Sequence, residues 1–159
     1  MDFEKKIKSE KEIENIAKKL HRRKKKIVTT NGCFDVLHYG HLKYLYNAKN
    51  YGDILIVAIN SDSSVKINKG KGRPVNNQKF RSGMIAALEF VDYVVIFKEK
   101  TPVKILYRIK PDFHIKGGDY IMSQIVEKKA VESGGGKVVI LKFVKGFSST
   151  KIIKKLGIA

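Results

Sequence analysis

Acidic residues are scarce in this 159-residue chain: 15 Asp and Glu stand against 33 Lys and Arg, a formal net charge of +18. Cysteine is scarcer, and Cys33, standing alone, has no partner for an intramolecular disulfide. Long apolar runs are missing as well. The longest, Ile54 to Ile59, holds 6 residues, a reach of about 20 Å as a strand or about 9 Å as a helix, short of a hydrocarbon core of about 30 Å. The basic N-terminus is not followed by an apolar stretch of signal-peptide type. A cytoplasmic protein with no membrane insertion is therefore expected. Neither a zinc-finger spacing nor the aromatic-bearing RNP strand motif occurs, and the lysines are spread along the chain, densest only from Lys18 to Lys26. The charge thus reads as a solvated surface that attracts nucleic acid at most non-specifically. With 43% hydrophobic and 30% charged residues the composition is globular, and the length suits one domain, residues 1–159, on which a basic N-terminal helix within 1–25 packs.

What is present is an alternation. Residues 9–24 read as an amphipathic helix, with Ser9 and Glu12 as a capping box and Ile13, Ile16, Ala17 and Leu20 on one face. Five strands are expected at 26–30, 53–60, 93–97, 112–116 and 137–143, with helices at 41–50, 80–90, 102–110, 121–133 and 148–156. The polar, Gly- and Lys-rich stretch 61–78 is expected to be a long mobile loop. Strands alternating with helices predict an α/β fold around a mostly parallel five-stranded sheet with right-handed crossovers.

Ligands of such folds bind beyond the carboxyl ends of the strands. Four loops there collect the unusual residues: 31–40, 60–77, 116–120 and 144–150. In the first, His38 and His41 lie three residues apart and face one side of a helix's first turn, where free amides favour an anion. Gly40 and Gly32 permit close approach of that anion, and two imidazoles beside free amides suit a phosphoryl centre gathering negative charge. Two other readings stay open at this stage: Asp35, His38 and His41 as ligands of a transition metal, or both histidines as structural residues. Around Gly70-Lys71-Gly72, the charges of Lys69, Lys71 and Arg73 read as a lid over a phosphate-rich site, with a bare hinge as the alternative.

The string NGCFDVLHYGH and the closing Gly146-Phe147-Ser148-Ser149-Thr150-Lys151 resemble the two signatures of the nucleotidylyltransferase superfamily. Within it the chain is most similar to the adenylyltransferases of ADP-heptose synthesis, which act on D-glycero-β-D-manno-heptose 1-phosphate. The strings AINSDSSVK, KGKGRPVN, ALEFVDYVV, KPDFHIKGGDY and SSTKIIKKL carry that likeness over nearly the whole chain. The resemblance implies a Rossmann-like fold with helices on both faces of the sheet, and a homodimer as the working unit. It also implies that this is the stand-alone form of a domain fused, in many bacteria, behind a sugar kinase.

Carried over position by position, the resemblance places His38 and His41 on the ATP phosphates and the α-phosphorus. It gives Asn31, Gly32, Cys33 and Phe34 to the triphosphate cradle, and Asp35 to the phosphates, their Mg²⁺ or the orientation of the loop. Lys69, or else Lys71, steadies the transferring phosphate, and Arg81 meets the leaving phosphates. Asn60, Asp62 and Arg73 belong to the substrate-side loop, Gly118 and Asp119 border the base and ribose, and Ser148, Ser149 and Thr150 hold phosphates. Mg²⁺ enters with ATP, with Asp35 as its one protein ligand if any. Tyr39 between the histidines is more typical of cytidylyltransferases for alditol phosphates, so CTP with glycerol 3-phosphate is the alternative pair. The segment Phe143-Val144-Lys145-Gly146 and the string KGGDY favour the heptose branch.

Overall fold

A computed structural model describes residues 2–118, 120–142 and 148–157. Its elements are β1 (Ile7–Lys8), α1 (Glu10–Arg22), β2 (Ile27–Gly32), α2 (Tyr39–Lys49), β3 (Ile54–Asn60), α3 (Asp62–Lys69) and α4 (Gln78–Ala86). They continue with β4 (Tyr93–Phe97), α5 (Val103–Ile109), β5 (Phe113–Gly117), α6 (Lys128–Ser133), β6 (Lys137–Leu141) and α7 (Ser149–Lys155). The strands pair in the order β1-β4-β3-β2-β5-β6, and every pairing is parallel.

The alternation within β3 shows why the fold is layered. Ile54, Ile56 and Ala58 pack with Ile13 and Ala17 of α1 and with Ile105 and Ile109 of α5. Leu55, Val57 and Ile59 point the other way, against Leu45 and Ala48 of α2 and Ile85 and Ala86 of α4. A strand covered on both faces needs apolar residues at every position, which is why this run is unbroken. Each fully buried Ile, Leu or Val contributes about 1.5–3 kcal/mol. The capping box of Ser9 and Glu12 forms at the start of α1 as its sequence predicts.

Three expectations are corrected. The sheet has six strands, because Ile7 and Lys8 pair with Val94 and Val95 along its edge. Two residues are too few to show alternation, so the strand exists only through its neighbour. The stretch 61–78 is not one long loop: Ser61 caps α3 by accepting from the Ser64 amide, and Asn77 caps α4 by accepting from that of Phe80. Two polar caps there resemble loop composition until the helices behind them are seen. The single helix expected at 121–133 is a short 3-10 turn, Met122–Gln124, followed by α6.

The strand starts share one device. Asp53, Asp92 and Asp112 each stand just before a strand and accept the first amides of the neighbouring one, from Lys26 at 2.7 Å, Leu55 at 2.7 Å and Ile27 at 2.9 Å. They anchor the sheet at the end opposite to the site.

Candidate active site

The chain runs β2-β3-β4 outward in one direction and then crosses to β5 on the other side of β2. The crevice at this switch point is a cavity of about 740 Å³ at the carboxyl ends of the strands.

Its floor is the turn leaving β2. Phe34 is held at φ 46°, the left-handed region, and its ring lies edge-on to His41 at 5.2 Å. Gly32 is required for this: a Cβ there would stand 2.9 Å from the Phe34 ring. Asp35, 1% exposed, accepts from Arg73 Nε at 2.6 Å and from the amides of Val75 and Asn76 at 2.8 and 2.9 Å. Burial pushes its carboxyl up, but the Asn76 amide, Arg73 and the Val75 amide outweigh that and hold it below the usual range.

His38 is the N-cap residue of α2 and His41 lies in its first turn, so three-residue spacing stacks the rings, 3.8 Å between centroids and 17° from parallel. Burial lowers the His38 imidazole below its ordinary value, and burial with the proximity of His38 brings His41 down to about 4. Two neutral imidazoles therefore face the cavity at pH 7. His41 Nδ1 is buried with no hydrogen-bond partner among the described residues.

Lys69 reaches the cavity from the C-terminal end of α3 and Asn60 from the end of β3, whereas Lys71 is exposed and outside the lining. Ser148 caps α7 through the Lys151 amide, Ser149 Oγ donates to Val36 O at 3.0 Å, and Thr150 completes that wall. Cys33 lines the floor, its thiol pushed up by burial against the opposing charges of Lys69, Arg81 and Arg73.

Several expected residues stand elsewhere. Arg81 is fully buried behind the wall and does not line the cavity, because its guanidinium is consumed by Asn76 O at 2.9 Å, Cys33 O at 2.6 Å and Asp62 Oδ1 at 2.8 Å. Asp62, the partner of Arg81, does not line the cavity either. Gly118 is buried and donates its amide to Leu141 O, leaving Gly117 to line the cavity. Asp119 and residues 143–147 lie outside the described residues. Tyr39 is 57% exposed and does not line the cavity.

Other lining residues escaped the sequence reading. Lys100, Thr101 and Pro102 come from the loop after β4, the one carboxyl-end loop between strands passed over, although the same topological rule selects it. Lys116 donates to Glu127 Oε1 at 2.7 Å and to Asn31 Oδ1 at 3.2 Å. Tyr44, partly buried, donates to Ile115 O at 2.9 Å and bonds Thr30 Oγ1 at 2.6 Å. Four cations, Lys69, Arg73, Lys100 and Lys116, thus surround two stacked imidazoles.

The profile of the cytidylyltransferase-like family matches residues 29–155. The chain belongs to that family. It is 51% identical over 150 residues to bifunctional protein HldE of Aliarcobacter butzleri (strain RM4018), covering 94% of this chain and 31% of that protein. It is 44% identical over 155 residues to bifunctional protein HldE of Citrifermentans bemidjiense, covering 98% and 32%. The chain spans about a third of the length of the curated relatives it matches. The crystal structure of the lipopolysaccharide core biosynthesis protein from Thermoplasma volcanium GSS1 matches at TM-score 0.63 and 30% identity, over 77% of this chain and 99% of that one. Pantoate-beta-alanine ligase from Francisella tularensis, complexed with beta-gamma ATP and beta-alanine, shares the fold at TM-score 0.62 and 19% identity, over 92% and 74%. Membership in the cytidylyltransferase-like family makes the chain a nucleotidylyltransferase by class, and its matched segment holds the whole described cavity lining.

Proposed function

We propose that the chain transfers AMP from ATP to D-glycero-β-D-manno-heptose 1-phosphate, giving ADP-heptose and pyrophosphate. The observation that carries the transfer is the stacked pair His38 and His41 at the start of α2, facing a cavity ringed by Lys and Arg. The strings KGKGRPVN and KPDFHIKGGDY, and the likeness to the lipopolysaccharide core biosynthesis protein, support the heptose branch. Tyr39 supports CTP less than its sequence position suggests, since it stands outside the cavity lining.

In this reading a phosphate oxygen of the sugar 1-phosphate attacks the α-phosphorus in line, the new P–O bond forms, and the bond to pyrophosphate breaks. The nucleophile is already anionic, so no general base is needed. Imidazoles neutral in the free site gain positive character as phosphate approaches, and hold charge that grows in the transition state. Ser148, Ser149 and Thr150 hold nucleotide phosphates, and Lys69 steadies the transferring group. Asp35 is engaged by Arg73, Val75 and Asn76, and among the described residues no three His, Cys, Asp or Glu side chains converge. The site thus suits Mg²⁺ carried on the nucleotide's own phosphates, where it neutralises triphosphate charge.

The test is pyrophosphate release with Mg²⁺, crossing ATP and CTP against heptose 1-phosphate and glycerol 3-phosphate. Release with ATP and the heptose is expected. Release only with CTP and glycerol 3-phosphate overturns the substrate pair and leaves the phosphoryl-transfer site standing.

A further inference from the structure

We infer that Arg73, aimed by Asp35, is the bidentate clamp for the phosphate of the acceptor substrate. The inference rests on the proposed nucleotidyl transfer but not on which acceptor is used.

Arg73 lines the cavity with its side chain 11% exposed. Its Nε donates to Asp35 Oδ2 at 2.6 Å, and among the described residues its two Nη groups donate to no side chain or carbonyl. A guanidinium tethered through Nε still presents two parallel Nη donors, the fork that matches two oxygens of a phosphate. Asp35 is itself fixed by the Val75 and Asn76 amides, and Asn76 Nδ2 donates back to Asp35 O at 2.7 Å. Arg81 ties Asn76 O to Cys33 O beneath them. The segment bearing Arg73 is thus bolted to the turn that precedes His38 and His41.

Position selects the ligand. In-line displacement puts the attacking and leaving oxygens on opposite sides of the α-phosphorus. Ser148, Ser149 and Thr150 open α7, which follows β6 to one side of β2 and meets the turn after β2 through Ser149 Oγ and Val36 O, whereas Arg73 and Lys69 follow β3 on the other side of β2. With nucleotide phosphates on the serine side, the anion met by Arg73 is the incoming phosphate. Lys69 supplies a mobile point charge there, and Arg73 supplies direction. The carboxylate of Asp35 offsets part of the positive charge of Arg73 but removes its rotational freedom, which favours orientation over bulk attraction.

The experiment measures steady-state kinetics of R73K, R73M and D35N with the acceptor that the wild type uses in the four-way cross. R73K is expected to raise the acceptor KM at least about tenfold while the ATP KM moves by less than about twofold, and R73M to raise it further. In D35N the carboxamide keeps the loop amides but turns an NH2 group toward Arg73 Nε. Its acceptor KM should rise likewise, and D35N/R73M should be no worse than R73M alone. An acceptor KM unchanged in R73M, or an equal loss for ATP and acceptor, overturns the inference, as does a lowered Tm with both constants intact. If D35N does not fold, R73K and R73M decide alone. If the wild type uses an acceptor other than the heptose, the substrate reading fails and the clamp is tested on that acceptor. If it turns over none, binding of inorganic phosphate beside a non-hydrolysable ATP analogue replaces KM, and equal affinity in wild type and R73M overturns the clamp.

Discussion

At the scale of single residues the histidine pair carries the largest effects. His38→Ala and His41→Ala should each keep the wild-type circular dichroism spectrum and slow turnover by on the order of 10²–10³. Near wild-type turnover in either variant removes that histidine from the reaction. Burial also sets an acid limb on stability. His41 and the wholly buried His114 have folded values of about 4 and about 3, each against an ordinary 6.5. Between those limits the unfolded chain binds protons that the native state does not, so stability is complete above about pH 6.5 and falls as the pH drops toward 4 and 3. The urea midpoint should be lower at pH 5 than at pH 7.5. His114→Asn, which keeps a polar atom near Thr29 Oγ1, should be less stable at pH 7.5 yet lose less on acidification. Equal midpoints for the wild type at the two pH values would contradict neutral burial.

At the scale of elements, the strand-start aspartates make a prediction separable from chemistry. Asp92→Ala leaves the buried Leu55 amide without its carboxylate and frees Lys49. A loss of about 1–3 kcal/mol is expected in denaturant titration, with KM values unchanged because the residue lies at the end of the sheet away from the cavity. A KM change for ATP would show that the sheet transmits the loss. The elements also mark where local pattern suffices. The unbroken run of β3 and the capping box of α1 announce themselves, because each records burial or hydrogen bonding within a few residues. α3 did not, since Asp62-Ser63-Ser64 looks like a loop until Ser64 is seen donating to Glu99 O across the fold. β1 has no pattern of its own.

At the scale of the whole molecule the excess of 18 positive charges acts as a diffuse field. Duplex and single-stranded nucleic acid should bind weakly at low salt, with affinity falling steeply as salt rises. Tight binding that survives moderate salt would point to a built nucleic-acid site instead. Among the described residues no helix is long and apolar enough to cross a membrane.

By itself the sequence determined the α/β alternation, five of the six strands and the pairing of His38 with His41 on one side of a helix's first turn. These depend on periodicity, caps and spacings that neighbouring residues set among themselves. Only the tertiary structure decided that Arg81 turns into the wall toward Cys33 and Asp62, that Lys116 pairs with Glu127, and that the loop with Lys100 closes the cavity. The Lys116–Glu127, Arg81–Asp62 and Arg81–Cys33 contacts join residues 11, 19 and 48 positions apart. Strand order brings them together, and a buried charge takes whichever partner that order places within hydrogen-bond reach.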